Sequence, residues 1–362
     1  MNKLLLVFLM LALLVVPFSS GCPSTPEKIE LTYNNFFPPT NFHSILADEF
    51  CKEIEARTDG QVTITYYPGS GLAPAAETYD AVVEGICDIG MTCLAYTMGR
   101  FPASELVDIP HGYPTGWVAT HVATDFYNEF DPAEFDDSHP LYFHAHGPGI
   151  VYTTKKPVRT LEDMKGLVLR STGVGAAIAE ALGATGYAAA QGEAYELMSK
   201  GTIDGSMTPM EPLLGWNQAE VVNYVTNCYE IGYTTDFIVV MNLDKWNDLP
   251  SNVKQVFTDV SEEWVEKHAK LWTYYDKAAA DYFLTFPGRE IIELSDTEMA
   301  RWVDAAAVVK DTYMAEKGAM GLSVEDYESY LNERVAYWSG QAPSEADCVA
   351  WVEAELKPLA PE

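Results

Sequence analysis

The sequence predicts an α/β protein of two lobes, joined by crossing strands and braced by one long helix. Three observations carry that expectation. Strand and helix patterns alternate from Ile29 to Met91, which implies a parallel sheet with helices on its faces. The alternation recurs between Leu141 and Met207, so a second unit of the same kind follows. From Ser251 an apolar three-or-four spacing runs on until Pro287-Gly288, too far for one small lobe.

The elements follow in order. Ile29–Tyr33 reads as a strand, then Asn34-Asn35-Phe36-Phe37-Pro38-Pro39 as a turn-rich loop. Phe42, Ile45, Leu46, Phe50 and Ile54 give a helix from Asn41 to Thr58, closed by Gly60. Val62–Tyr67 alternates as a strand, a helix runs from Pro74 to Glu84, and Asp88–Met91 is a short strand. In the second unit, Leu141–His146, Gly149–Thr154, Val168–Arg170 and Gly205–Met207 read as strands. Helices there span Gly175–Leu182 and Tyr195–Lys200. Ile238–Met241 reads as a strand returning to the first unit. Ser251 is the expected N-cap of the long helix, which at ~1.5 Å per residue is ~50 Å long. Three more helices are expected near Asp296–Glu316, Val324–Trp338 and Glu345–Leu356. This divides the chain into residues 29–147 with 235–270 as one lobe and 148–234 with 276–340 as the other. The spanning helix is 251–286, and 341–362 forms a C-terminal helix and tail.

The first 21 residues read as an export signal. Lys3 precedes an uncharged apolar run, Leu4–Val16, too short to span a bilayer. Ser19, Ser20 and Gly21 lead to Cys22, the expected lipid-bearing N-terminus, and 22–28 is a linker. The alternative is ordinary cleavage nearby and a soluble secreted chain. The sequence holds 22 basic and 53 acidic residues, a net charge of −31, and export would remove only Lys3 from that balance. So acidic a chain has no basic face for nucleic acid or anionic lipid. An anion receptor built from it must use a local positive device. Beyond Cys22 come Cys51, Cys87, Cys93, Cys228 and Cys348, an odd number from which one or two disulfides are expected in an exported protein.

Such a device is visible at Lys165-Gly-Leu-Val-Leu-Arg170-Ser-Thr-Gly-Val-Gly175. Arg170 ends a strand just before a helix. Ligands of α/β sheets sit at the carboxyl ends of strands, helix N-termini expose free N–H groups, and a guanidinium forks onto a carboxylate. The plain alternative is a surface ion pair. Further on, Gly201…Asp204-Gly205…Thr208-Pro209 places Thr208 on the same edge. The first unit echoes this with Gly85…Asp88…Met91-Thr92, so Thr92 is expected to face Thr208 across a cleft.

Arg100-Phe101-Pro102, the Lys165–Arg170 run, Tyr195…Gly201…Asp204-Gly205…Pro209 and Glu220-Val221…Tyr224-Val225-Thr226 together resemble the substrate-binding proteins of TRAP (tripartite ATP-independent periplasmic) transporters. The resemblance runs from about Glu27 to Trp338. It implies a two-lobe periplasmic-binding-protein architecture, hinge strands, and an Arg at position 170 that salt-bridges a substrate carboxylate. It also implies a periplasmic location, no cofactor, and delivery of the ligand to an ion-gradient-driven membrane permease. Three features depart from the family. A second basic residue found in some members would fall near Ile150, an Asn often found at position 208 is Thr here, and the segment Asn227 to Asp236, with Tyr229, Tyr233 and Asp236, is longer than usual. One positive anchor beside Trp216, Tyr233 and Phe36, with Asn35 in the same loop, suits a small organic acid with an apolar or aromatic part. Asp236 or Glu211 is the alternative acceptor of an amino group.

Other chemistries are poorly served. Gly173-Val-Gly175 lacks the third position of a dinucleotide fingerprint, which is Ile178. His144-Ala-His146 has strand spacing but no third ligand nearby in sequence. No Gly-x-Ser-x-Gly elbow occurs. A binding protein rather than an enzyme is expected, and a sensory receptor of the same fold is the alternative. Closure is expected about strands near Gly147–Ile150 and Thr234–Phe237.

Overall fold

The structure, a computed structural model, describes residues 28–360. The export segment, Cys22 and the linker short of Lys28 lie outside the described residues.

The first half of the chain forms β1 (Ile29–Asn35), α1 (Phe42–Arg57), β2 (Val62–Tyr67), α2 (Thr78–Val83), β3 (Ile89–Cys93), α3 (Glu105–Asp108), α4 (Gly116–Phe130) and β4 (Ser138–Ala145). Next come β5 (Ile150–Thr153), β6 (Val168–Ser171), α5 (Gly173–Ala181), β7 (Thr185–Ala188), α6 (Gln191–Ser199), β8 (Gly205–Thr208), α7 (Pro212–Gly215) and β9 (Tyr224–Asn227). The chain closes with β10 (Asp236–Asn242), α8 (Leu243–Asp248), α9 (Ser251–Leu284), β11 (Glu290–Glu293), α10 (Asp296–Ala319), α11 (Val324–Ser339) and α12 (Glu345–Glu355).

Two sheets result. One has the order β2-β1-β3-β10-β4, the other β11-β9-β5-β8-β6-β7. In the first, β1 runs parallel to β2 and β3, and the returning β10 is antiparallel to β3 and β4. In the second, β6 is parallel to β7 and β8, with β5 antiparallel to β8 and β9. The chain crosses between the sheets through residues 146–149 and again through 228–235. These crossings touch each other: the Thr234 hydroxyl donates to the His146 carbonyl at 2.6 Å. At Gly149 a Cβ would lie 2.0 Å from the Tyr233 hydroxyl, so only glycine lets the two segments meet.

Local chemistry sets the ends of elements. Asn41 caps α1 by accepting from the His43 N–H, and Ser295 caps α10 by accepting from Glu298. Pro250, not Ser251, sits at the N-cap of α9; its carbonyl accepts from the Val253 and Lys254 N–H groups. The 34 residues of α9 span about 50 Å at 1.5 Å per residue. Its first turns bury Val253, Phe257 and Trp264 in the core around β1, β3 and α1, while Ala279 and Phe283 join the second core. One rigid rod therefore touches both sheets.

Three features depart from the sequence reading. Helix α4 was not anticipated, although Thr115 caps it by accepting from Val118 N–H; its β-branched residues blur a helical period. Helix α11 packs on α4 and α3, away from the second-lobe range in which its sequence position put it. The expected disulfides are absent among the described residues: Cys51, Cys87, Cys93, Cys228 and Cys348 are all free and buried. The Cys51 thiol donates to the Ala47 carbonyl of its own helix.

Candidate functional site

Strand β6 carries Arg170 to the facing edge of the second sheet, where the backbone turns into α5. The Arg170 side chain is only 4% exposed. Its Nε donates to the Ala189 carbonyl at 2.9 Å and its Nη1 to Gln191 Oε1 at 2.6 Å. Two of its five donors are thus used to orient the guanidinium, which leaves donors for an incoming acid. Ser171 and Thr172, which lead into α5, line the same cavity between the two sheets. The end of β8 adds Thr208, and the Tyr152 hydroxyl holds the turn beyond it by donating to the Pro209 carbonyl.

The rest of the lining is largely aromatic. Phe36 and Phe37 follow β1, Phe237 comes from β10 and Trp272 from α9. Phe36 stacks on Trp216 and on Phe237, with ring centroids 6.3 and 6.2 Å apart. Three residues of this lining carry buried donors without partners: Gln191 Nε2, the Tyr233 hydroxyl and the Trp216 indole N–H. Arg170 is the only Lys or Arg among the described lining residues and Glu211 the only carboxyl. Burial, reinforced by Arg170, lowers His146 to about 4, so it is a neutral imidazole. Burial pushes the Tyr233 phenol up and keeps it a donor. It also pushes the Glu211 carboxyl up to about 8.

Polar bonds cross the cavity from one side to the other. Asn41 Nδ2 donates to Glu211 Oε1 at 2.5 Å, and the Gln191 N–H donates to the Tyr96 hydroxyl at 3.1 Å. The two halves are therefore drawn together around the space that Arg170 faces.

Of the residues singled out by sequence, Arg170, Thr208, Trp216, Tyr233, Phe36 and Glu211 line this one cavity. Thr92, Asn35 and Asp236 do not. Thr92 donates to the Ala75 carbonyl, and its neighbour Cys93 takes the cavity face. Asn35 accepts from the Phe37 N–H and shapes the loop instead. In β10 it is Phe237 that faces the cavity, so strand alternation turns Asp236 away. The Asp236 N–H donates to Asp108 Oδ1. Ile150, where a second basic residue was sought, is fully buried and pairs with Thr208. Missed by sequence reasoning were Gln191, Phe37, Tyr96, His146, Phe237 and Trp272. Phe237 lies in one segment expected as a hinge and His146 directly precedes the other, which was the one available signal.

His144 gains company that its sequence neighbourhood hides. His43 from α1 and His268 from α9 bring three ring nitrogens within 4.8 Å of one another. The His144 and His268 rings are stacked at 4.2 Å and 4°, whereas a shared ion would have to lie in the plane of both rings. His43 and His268 join Nδ1 to Nδ1 at 2.9 Å, and Trp272 Nε1 donates to His144 Nδ1. This is a stack of neutral imidazoles, with burial holding all three below the usual histidine range.

These shifts predict a pH response. Glu211, Asp108 and Asp236 are all raised, chiefly by burial, so the folded chain holds their protons after the unfolded chain has released its own. Stability is expected to fall as pH rises from 6.5 towards 8, by up to about 1.4 kcal/mol per unit for each such group. The lowered histidines act oppositely, but only below about pH 6.5. Thermal unfolding across this range checks the sign, and a rising melting temperature would contradict it.

No described helix is long and apolar enough to cross a membrane. The profile of the bacterial extracellular solute-binding proteins, family 7, matches residues 34–317. A monocarboxylate 2-oxoacid-binding periplasmic protein of Nostoc sp. is 27% identical over 244 residues, 64% of each chain, so the match spans just under two thirds of that relative. A TRAP periplasmic solute-binding protein of Desulfovibrio salexigens is 31% identical with a TM-score of 0.76, covering 88% of this chain and 98% of that one. One from Bordetella bronchiseptica, with bound (R)- and (S)-mandelate, is 26% identical with a TM-score of 0.79, covering 86% and 99%. A two-lobe fold, a cavity between the lobes and a profile match over most of the chain agree: the chain belongs to the family-7 bacterial extracellular solute-binding proteins, the substrate-binding proteins of TRAP transporters.

Proposed function

We propose that the chain is an exported receptor that captures a small organic acid with an aromatic or apolar body and delivers it to an ion-gradient-driven membrane permease. The observation that carries this reading is the Arg170 fork, pre-oriented at a strand end among buried donors that have no partner in the protein. A carboxylate supplies the acceptors that these donors lack, and leaving them unpaired in a buried site is costly. The aromatic walls suit a flat ligand body. Relatives point the same way, since one is named for monocarboxylate 2-oxoacids and another holds mandelate. Capture proceeds by closure of the lobe built on the β1 sheet onto the lobe built on the β6 sheet, about the crossings near Gly147–Ile150 and Thr234–Phe237. The ligand favours the closed form because only there does it touch both sides. Lipid attachment at Cys22 in the periplasm belongs to the same proposal, and mass spectrometry of the membrane fraction checks it.

A thermal-shift screen against organic acids, amino acids and amines tests the ligand class. A bound acid at 100 times its Kd is expected to add ~2.7 kcal/mol of stability. Shifts produced by amines alone would sink the carboxylate reading.

A further inference from the structure

We infer that Glu211 is a specificity-determining residue of the cavity: it accepts a neutral hydrogen-bonding group on the ligand and admits a second carboxylate only together with a proton. This rests on the acid-receptor reading above.

Glu211 is 2% exposed and stands just before α7. Its Oε1 accepts from Asn41 Nδ2. That amide has a single sense, because Asn41 Oδ1 already accepts from the His43 N–H at 2.9 Å and from the Tyr275 hydroxyl at 3.3 Å. The carboxyl also fills the space left by the missing side chain of Gly215, where a Cβ would lie 1.9 Å from Oε1. The Trp216 indole N–H faces it without closing a hydrogen bond. Every neighbour is thus a neutral donor or an apolar ring. Arg170 spends its orienting bonds on Ala189 and Gln191, not on Glu211.

Charge balance follows. One ligand carboxylate is matched by Arg170. A second one, lodged near Glu211, meets no cation, and two carboxylates that close do not both ionise. A hydroxyl there meets a ready hydrogen-bond partner instead. The other titratable groups around Glu211 do not confuse this. Tyr152 from β5 and Tyr275 from α9 have phenols raised by burial and by Glu211 itself, so they stay neutral. His43 is neutral as well. Asp276, next along α9, lies against Gly147.

The test measures the affinities of 4-hydroxybenzoate and benzene-1,4-dicarboxylate by calorimetry from pH 6 to pH 9. In the wild-type chain the dicarboxylate is expected to bind at pH 6 and to weaken by up to about tenfold per pH unit once Glu211 ionises, taking up close to one proton more than the hydroxy acid. In Glu211→Gln, which keeps an oxygen for Asn41, that difference in slope should vanish. A pH-independent ratio of the two affinities in the wild type overturns the inference. So does a slope that persists in Glu211→Gln, which would assign it to Asp276, and so does a dicarboxylate that fails to bind at pH 6. If Glu211→Gln does not fold, Asp276→Asn takes its place: the slope should persist there, and its loss overturns the inference. Unchanged 4-hydroxybenzoate affinity in Arg170→Ala would instead defeat the acid-receptor reading, a separate failure.

Discussion

Arg170→Ala is expected to weaken acid binding by about 30-fold to several thousand-fold, the cost of about 2–5 kcal/mol for truncating one side of a buried, hydrogen-bonded charge pair. Arg170→Lys is expected to leave most of that loss in place. The reason is geometric. Arg170 uses Nε on Ala189 and Nη1 on Gln191 to aim the remaining donors into the cavity. A lysine ammonium has no second nitrogen for those anchors, and burial at 4% exposure would drive it towards its neutral form. Gln191 would lose the partner of its Oε1 and its place near the Tyr96 contact. Calorimetry with an acid found in the ligand screen decides the matter: near-native affinity in Arg170→Lys would show that charge alone suffices.

Gly205→Ala is expected to cost about 3 kcal/mol or more of stability and to disorder the edge that carries Thr208. A Cβ at Gly205 would sit 1.8 Å from the Tyr152 carbonyl oxygen and 2.8 Å from its carbon. Those are backbone atoms of β5, and β8 lies between β5 and β6 in the sheet, so relief requires moving a whole strand. Gly192→Ala is the control. Its Cβ meets nothing nearer than a Trp216 ring carbon at 3.6 Å, and a neutral or slightly stabilising effect is expected. Urea unfolding midpoints of the two variants give the comparison; equal stability for Gly205→Ala would mean that β5 and β8 are not packed this closely.

Much of the architecture was legible because it is written in local periods and caps. The spacing in α1, the alternation in β2, and the unbroken stripe of α9 are short-range properties of the chain. The strand–turn–helix around Arg170 is of the same kind. Helix α4 escaped because β-branched residues blur its period, and the short strands β7, β9 and β11, each of four residues, are too brief to carry one. The expectation of disulfides failed for a different reason. Export makes them possible, but pairing depends on where five thiols fall in the fold, and all five are buried and free.

The sequence by itself determined a two-lobe α/β fold, its spanning helix, and one arginine at the end of a strand ahead of a helix. Only the tertiary structure decided what that arginine faces. Trp272 and Phe37 lie about a hundred or more residues away in the chain, and strand alternation chose Phe237 over Asp236 and Cys93 over Thr92 for the cavity. The same long-range packing turned Glu211 from one acid among 53 into the only carboxyl among the described cavity-lining residues. The physical reason is common to all of these. Local propensity depends on neighbours within a turn or two, whereas burial, desolvation and the pairing of polar atoms depend on which distant elements meet.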